Sequence, residues 1–340
     1  GWWGRDTFIA APGLTLATGE PETFLAIMDT MSKDLKGALF PNIGSGDYTN
    51  MTSMDAPLWF FWSLQTYIQY TGDQKTVKDR YLGKLRGIIE GFKEGTDFNI
   101  HMLPSGLIWG GQEGLALTWM DAITPDGPVT PRIGCPVEIQ ALWYNALCFY
   151  HELSGEEEYL SLAAKVKEFF DREFWSWDYG YLADVVDGEE KDWSIRPNML
   201  FATSLPYRIL EEEKCDKVLE IVKSKLLTPR GLRSLSPDDP GYKGYYFGNQ
   251  ISRDQAYHNG TVWAWLLGHF AQGYLRLHGK AAKIFVEKII KGFDGVMTQY
   301  GVGTVAEIYD GDAPHRPKGS VSQAWSIAEL LRMMDLVKQV

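Results

Sequence analysis

The sequence predicts an all-α fold in which helical hairpins close into a ring, an (α/α)6 toroid. Three observations lead to this prediction. Helical patterns recur along the whole chain, two kinds of helix alternate, and strand signals are confined to residues 182–186 and 304–306. Repeating hairpins that each bury one helix beneath another are typical of closed or stacked repeat architectures. We therefore expect a single helical domain over residues 1–340.

The inner helices are those whose apolar residues surround the helix axis, as expected for a helix that is covered on nearly all sides. Residues 137–153 show this pattern, with apolar side chains at Ile139, Leu142, Trp143, Ala146, Leu147, Phe149 and Tyr150. The pattern predicts six inner helices, at residues 7–18, 54–70, 137–153, 198–210, 262–277 and 321–340.

The outer helices carry one apolar stripe with charged residues opposite, which is typical of a helix on a surface. In residues 156–174 the stripe includes Tyr159, Ala163, Val166 and Phe170. Five outer helices are predicted, at residues 21–35, 77–92, 156–174, 216–226 and 281–293. Because each hairpin needs one helix of each kind, we expect an N-terminally truncated ring that lacks its first outer helix.

Composition excludes several classes of function. The formal net charge of −11 argues against a nucleic-acid partner, which would require clustered Lys and Arg. No apolar run is long enough to span a membrane and no secretory signal pattern opens the sequence, so we expect a cytoplasmic protein. The histidines and cysteines show no metal-ligand spacing, and neither a metal nor a cofactor is predicted.

The segments before the inner helices are rich in Gly, Asp and Trp. They cover residues 2–6, 42–55, 108–138, 192–198, 254–259 and 304–319. In a ring of hairpins all six segments open at the same end, where loops on a rigid scaffold build a site. We therefore expect the functional residues to converge on one mouth of the ring.

Aromatic side chains in these segments favour a carbohydrate ligand, because the apolar C–H faces of sugar rings pack on aromatic planes. The chain has 13 Trp, 17 Tyr and 16 Phe. Trp3 lies close in sequence to Arg5 and Asp6, whose polar side chains can bind sugar hydroxyls, and Trp119 lies in the segment at residues 108–138. For any single Trp, a place in the hydrophobic core is an equally good interpretation.

Two acidic residues are candidates for glycoside hydrolysis, which needs one protonated carboxyl and one ionised carboxylate across the bond. Asp121 follows Trp119, whose ring could exclude water and raise the carboxyl pKa. Glu307 lies before the last inner helix. The two loops precede the third and sixth inner helices and therefore face each other, which leaves room for a water and predicts inversion. Alternatively, Asp121 caps a helix or pairs with Arg132, and Glu307 is a solvated loop acid.

Five motifs of the chain resemble the amylo-α-1,6-glucosidase family, the glucosidase portion of glycogen debranching enzymes. The first two are residues 4–9 (Gly-Arg-Asp-Thr-Phe-Ile) and 118–121 (Thr-Trp-Met-Asp). Residues 136–147 form the third, 257–263 (Tyr-His-Asn-Gly-Thr-Val-Trp) the fourth and 306–311 (Ala-Glu-Ile-Tyr-Asp-Gly) the fifth. They run in family order along the chain, and the match is specific as a set.

The resemblance implies a six-hairpin glycosidase that releases glucose, with inversion, from α-1,6-linked branch-point stubs of glycogen or limit dextrin. It implies that Asp121 is the general acid, that Glu307 is the general base, and that Arg5 and Asp6 hold the hydroxyls of the terminal sugar. Family members also carry an upstream N-terminal domain, which we expect as a partner. The remaining residues expected at the substrate are Trp3, Asp55, Trp59, Trp119, Glu138, Gln140, His258 and Trp263.

Two other functions are compatible with the sequence. One is a different (α/α)6 glycosidase, which would resemble an α-1,4-specific glucoamylase, a trehalase or an invertase. The other is a catalytically silent toroid that only binds glucan. The presence of both Asp121 and Glu307 within their motifs argues against the silent toroid.

Overall fold

The protein is described here by a computed structural model that covers residues 2–45 and 48–340. The helices of these residues are α1 (Gly4–Ala11), α2 (Pro21–Met31), α3 (Ala56–Thr71), α4 (Gln74–Glu94), α5 (Val137–Ser154), α6 (Glu157–Phe174), α7 (Phe201–Ser204), α8 (Glu212–Ile221), α9 (Gln250–Tyr257), α10 (Leu266–His278), α11 (Lys280–Lys291) and α12 (Ala324–Lys338). Single π-helical turns extend α1 over Pro12–Leu16 and α8 over Val222–Leu226, and a 3-10 turn, Pro197–Leu200, leads into α7.

The inner helices form a closed ring. They are α1, α3, α5, α7, α10 and α12, each of which packs against the next, and α12 packs back on α1. The outer helices α2, α4, α6, α8 and α11 each pack on the inner helix that precedes them. Within residues 2–45 and 48–340, no outer helix covers the pair formed by α12 and α1. The predicted all-α toroid, with six inner and five outer helices, is therefore confirmed.

Several predicted boundaries of the inner helices were wrong. The first helix begins at Gly4 rather than at residue 7, so that Arg5 and Asp6 lie in its first turn. The fourth ends at Ser204 instead of residue 210, since the next residue precedes Pro206 and is extended. The fifth begins at Leu266, because Val262–Trp263 forms a β-strand before it.

Fifteen short strands, counted over the described residues, form small antiparallel sheets in the segments that lead into inner helices. Two three-stranded sheets have the orders β1-β2-β3 (Trp2–Trp3, Ile43–Ser45, Tyr48–Asn50) and β10-β9-β8 (Glu190–Asp192, Val185–Asp187, Cys135–Pro136). Two hairpins pair β4 with β5 (His101–Met102, Ile108–Trp109) and β6 with β7 (Ile123–Thr124, Gly127–Pro128). A five-stranded sheet has the order β11 to β15 (Leu227–Thr228, Gly231–Arg233, Val262–Trp263, Ile308–Tyr309, Pro317–Lys318). The strand expected at 304–306 lies instead at Ile308–Tyr309.

Aromatic side chains of the inner helices fill the centre of the ring. The rings of Trp59 and Trp265 meet edge to face at 6.2 Å, and Trp265 stacks on Trp325 at 4.9 Å. Burial of a large apolar side chain contributes about 2 kcal/mol, so this packing is a main source of stability. It also makes a floor beneath the loops at the mouth. None of the helices in the described ranges is long and apolar enough to cross a membrane.

Candidate active site

A cavity of about 260 Å³ opens at the end of the ring where the inner helices begin. Loops before the first, third, fifth and sixth inner helices contribute its walls. The predicted residues that line it are Trp3, Arg5, Asp6, Trp119, Asp121, Trp263 and Glu307. Four larger cavities among the described residues, of about 730, 530, 420 and 330 Å³, contain neither Asp121 nor Glu307. The structure thus brings both candidate carboxylates into one small pocket.

Asp121 faces the cavity and is bound on one side only. Its Oδ2 accepts hydrogen bonds from Arg5 Nη1 and Asn42 Nδ2, both at 3.3 Å. Burial raises the pKa of the Asp121 carboxyl, and the nearby Arg5 opposes this in part. Among the described residues Oδ1 has no hydrogen-bond partner and 23% of the side chain is exposed, so this carboxyl can give a proton to a ligand.

Arg5 is held in place from behind. Its Nε donates to Asp55 Oδ2 at 2.6 Å, and Ser53 Oγ donates to the other Asp55 oxygen at 2.6 Å. Asp55 lies at the N-terminus of α3 and is fully buried, so that this ion pair ties α1 to α3. Gly4 permits the start of α1 to lie directly against the backbone of Pro41, because a Cβ at Gly4 would lie 2.2 Å from the carbonyl oxygen of Pro41. Arg5 therefore reaches Asp121 from a fixed position.

Glu307 is fixed by two donors, one on each oxygen. The hydroxyl of Tyr257 donates to Oε1 at 2.5 Å, and the backbone N–H of Ser320 donates to Oε2 at 2.8 Å. Gly319 has a φ of +66°, and a Cβ at this position would lie 2.3 Å from Oε2. Burial and the adjacent Glu307 raise the pKa of Tyr257 well above its ordinary value, so the phenol stays a donor. Both oxygens of Glu307 are therefore hydrogen-bond acceptors, and the two contacts fix the orientation of the carboxyl group.

Asp6 is the third carboxyl of the pocket. Burial raises the pKa of Asp6 to about 7, and the carboxylates of Asp121 and Glu307 add to the effect, while Arg5 opposes it. A carboxyl with this pKa exists in both protonation states near neutral pH. It can therefore donate a hydrogen bond to a sugar hydroxyl or accept one from it.

The aromatic walls are held rigidly. Trp119 meets Trp263 edge to face at 5.3 Å, and its Nε1 donates to Asn198 Oδ1 at 2.6 Å. The Nε1 of Trp263 donates to the carbonyl of Tyr257 at 3.0 Å. Trp3 is 43% exposed at the entrance of the cavity. Flat apolar walls and a few convergent polar groups are the composition expected of a sugar pocket.

Five predicted site residues do not line the cavity. Asp55 lies behind Arg5, and Trp59 lies in the aromatic core. The Glu138 carboxylate is paired with Arg132, and the Gln140 amide is bonded to the backbone of Ile108 and Pro136. His258 stacks on the far side of Trp263 at 5.2 Å and is fully buried, which lowers its pKa well below the ordinary value.

The alternative pairing of Asp121 with Arg132 is not observed. Arg132 instead binds Glu138 and Asp184, and the partner of Asp121 is Arg5. Nor is Glu307 a solvated loop acid, because it is half-buried and both of its oxygens accept hydrogen bonds.

Four lining residues were missed by the sequence analysis: Tyr257, Ser320, Gln323 and Trp325. Tyr257 could have been predicted, because it is the first residue of the motif at 257–263. In the part of the chain that the structure describes, no three His, Cys, Asp or Glu side chains are grouped so as to hold a metal ion.

Comparisons with known proteins identify the family of the chain. A family model described as amylo-alpha-1,6-glucosidase matches residues 1–332. The glycogen debranching enzyme of Saccharomyces cerevisiae is 25% identical over 376 aligned positions, which cover 82% of this chain and 24% of the yeast enzyme. The chain thus spans about a quarter of the length of this relative.

A solved structure shows the same fold. The crystal structure of an uncharacterized conserved protein from Thermus thermophilus superposes with a TM-score of 0.71 and 14% identity, and covers 98% of this chain and 92% of that one. The family match extends over nearly the whole sequence and includes all the residues that line the cavity. The chain belongs to the amylo-alpha-1,6-glucosidase family of glycoside hydrolases.

Proposed function

We propose that this chain releases glucose, with inversion of the anomeric carbon, from α-1,6-linked stubs at the branch points of glycogen or limit dextrin. Asp121 is the general acid and Glu307 is the general base. The observation that carries the proposal is the contrast between the two groups in one cavity. One carboxyl has a raised pKa and a free oxygen, and the other is fixed as an acceptor by two donors.

In the proposed reaction Asp121 gives its proton to the glycosidic oxygen as the C–O bond breaks. Glu307 removes a proton from a water that attacks the anomeric carbon from the opposite face. Asp121 leaves the step ionised and Glu307 protonated, and exchange with solvent restores both. Because the water enters opposite to the leaving group, the product is β-glucose.

Arg5 and Asp6 are suited to bind the hydroxyls of the terminal sugar, and Trp119 and Trp263 to pack on its faces. A cavity of about 260 Å³ lies at the small end of the range for ligand pockets, which favours one enclosed sugar ring and therefore exo action. The name of the yeast relative, glycogen debranching enzyme, supports a branched α-glucan as the substrate. Asp55, Glu138, Gln140, His258 and Trp59 are then residues that hold the walls of the pocket.

The linkage can be tested with a panel of isomaltose, maltose, trehalose, sucrose and a branched limit dextrin. We expect glucose from the limit dextrin and isomaltose. Preferential cleavage of maltose, trehalose or sucrose would assign the chain to another (α/α)6 glycosidase. Binding of limit dextrin without any turnover would mark a silent toroid.

The chemistry can be tested by following the anomeric proton of the released glucose by NMR in the first minutes of reaction. Inversion predicts that the β-anomer appears first. Glu307→Gln should lower the rate by roughly 10³-fold, because the water then lacks its base. First release of the α-anomer, or full activity of Glu307→Gln, would contradict the assignment.

A further inference from the structure

We propose that a second carbohydrate site lies outside the cavity, on an aromatic platform that binds a linear chain of α-linked glucose units. The aromatic platform consists of Tyr179, Tyr181 and Trp193, whose rings are in mutual contact, and of Trp177, which lies two residues before Tyr179 in the same turn. The choice of an α-glucan as ligand rests on the proposed function. The existence of the platform rests on its own geometry.

The two outermost rings of the aromatic platform are unusually exposed. Trp177 is 78% and Tyr179 is 56% exposed, although the chain buries most of its other tryptophans. Exposed apolar area costs about 25 cal/mol per Å², and a contiguous apolar patch on a surface commonly marks a place where something binds. Both side chains lie in the turn between α6 and β9.

Three rings of the aromatic platform hold one another in place before any ligand arrives. The rings of Tyr179 and Tyr181 lie nearly parallel, 22° apart with centroids at 5.6 Å, and Tyr179 meets Trp193 at 5.4 Å. The Tyr181 hydroxyl donates to the carbonyl of Trp193 at 3.0 Å, which joins the turn to the strand segment beside it. Little conformational entropy is therefore lost when a ligand covers these rings.

The turn itself is closed by hydrogen bonds. The N–H of Ser176 donates to the carbonyl of Tyr181 at 3.0 Å, and the N–H of Gly180 donates to the carbonyl of Ser176 at 2.9 Å. Gly180 has a φ of +73°, a left-handed conformation that residues with a Cβ rarely adopt. Lys214 lies over the rings of Trp175 and Trp177, at 5.1 and 5.0 Å from their centroids.

Polar groups lie next to the exposed rings. A cavity of about 330 Å³ joins Tyr179 to Lys217, Glu220 and Ser224 on the face of α8. A sugar needs this combination, because its C–H faces pack on aromatic rings while its hydroxyls require donors and acceptors. The mixture of ammonium, carboxylate and hydroxyl groups beside flat rings fits a neutral polyhydroxylated chain.

The position of the aromatic platform suits a polymeric substrate. The turn leads into β9, which pairs with β8 at Cys135–Pro136, and β8 leads directly into α5. The platform therefore lies at the same end of the ring as the cavity, on its outer rim. A glucan chain held there stays close to the cavity and raises the local concentration of chain ends.

The exposed area argues against a protein partner of ordinary size. Two rings of this exposure supply roughly 250 Å². A stable protein interface buries about 800 Å² on each side. The patch matches two or three sugar units instead.

The proposal can be tested with a double variant, Trp177→Ala with Tyr179→Ala. Both side chains lie outside the core, so the fold should persist. The matched control is Ile284→Ala, which removes an apolar side chain that is 64% exposed on α11. Retardation in native gels that contain amylose, a linear α-1,4-glucan without branch stubs, measures binding at the platform.

We expect amylose to retard the wild-type protein and Ile284→Ala, and the double variant to bind about tenfold more weakly. The KM for glycogen should rise by a similar factor, while hydrolysis of isomaltose stays unchanged. The proposal that the platform binds glucan would be overturned if wild type and double variant were retarded equally, or if the wild type were not retarded at all. If no variant hydrolyses any glucan but the retardation still depends on Trp177 and Tyr179, the proposed function fails and the platform stands.

Discussion

Two buried arginines at the mouth of the ring have similar surroundings and different consequences. Arg132 lies between Glu138 and Asp184, with Nη2 at 2.6 Å from Glu138 Oε2 and Nε at 2.8 Å from Asp184 Oδ2. All three side chains are at most 3% exposed. Arg5 likewise lies between two carboxylates, but only Asp55 is close and buried. Its second partner, Asp121, is 3.3 Å away and faces the cavity.

The difference lies in how completely each charge is paired. In the Arg132 cluster both carboxylates are buried and paired with Arg132, so the cluster acts as a scaffold. Arg132 also binds Thr118 at 3.0 Å and thereby holds the loop that carries Trp119 and Asp121. In the Arg5 cluster one oxygen of Asp121 has no hydrogen-bond partner among the described residues, and the carboxyl faces the cavity. A buried arginine thus pairs with two buried carboxylates in one case, and in the other it leaves one carboxyl facing the cavity.

The largest difference between the clusters should be seen with Asp121→Asn. We expect glucose release to fall by roughly 10³-fold, since an amide cannot act as the acid. The free energy of unfolding should change by no more than about 1 kcal/mol, because Arg5 keeps Asp55. Rate measurements on limit dextrin and urea unfolding check both expectations. A large loss of stability with little loss of rate would place Asp121 with the scaffold.

Glu138→Gln is the matched change in the other cluster. It leaves the buried Arg132 with one carboxylate instead of two, and we expect the free energy of unfolding to fall by about 3 kcal/mol. Urea denaturation measures this loss. The pH profile of the surviving activity should keep its shape, because Glu138 does not reach the cavity. A displaced profile would show that Glu138 takes part in proton transfer.

Asp6 should make the stability of the protein depend on pH. Its folded pKa of about 7 lies above the ordinary value of 3.8, so that between these values the unfolded chain releases a proton that the folded chain keeps. Wild-type stability therefore falls as the pH rises through this window. At pH 8 we expect Asp6→Asn to be more stable than wild type by roughly 2 kcal/mol, a figure reduced for the partial exposure of Asp6.

Thermal unfolding at pH 4 and pH 8 tests the effect, with the two proteins of equal stability at pH 4. Lower stability of Asp6→Asn at pH 8 would contradict the raised pKa. Activity should fall in the variant at both pH values, because Asp6 is proposed to bind the substrate.

The smallest expected effect concerns Tyr257→Phe, which removes one donor from Glu307. We expect kcat to fall about tenfold, the loss of one charge-assisted hydrogen bond. Tyr309→Phe is the control, since the buried Tyr309 hydroxyl has no partner among the described residues. An equal kcat for both variants would remove Tyr257 from the positioning of Glu307.

The helical ring could be predicted because its signal is local. Stripes of apolar residues every three or four positions define the outer helices, and runs of apolar residues define the inner ones. The orientation of an inner helix could not be predicted in the same way, because a helix that is apolar all round does not indicate which face meets the cavity. Trp59 and Gln140 were therefore expected at the substrate although they face the core and the backbone.

The details of the pocket depend on contacts that are distant in sequence. Trp263 lies in a strand because it pairs with Leu232 and Ile308, and no local pattern at Trp263 reports that pairing. The donor from Ser320 to Glu307 is a backbone N–H, which every residue except proline carries. Its position is set by the turn at Gly319 and not by a side chain that sequence reasoning could identify.

The direct packing of α12 on α1 has a consequence for how activity arises during synthesis. Trp3, Arg5 and Asp6 come from the first helix segment, whereas Glu307, Ser320 and Gln323 precede the last. A nascent chain can form its early hairpins on the ribosome, but it cannot assemble this pocket until α12 has emerged and closed the ring. Enzymatic activity would thus report the final step of folding, and partly synthesised or clipped rings would be silent toward glucan.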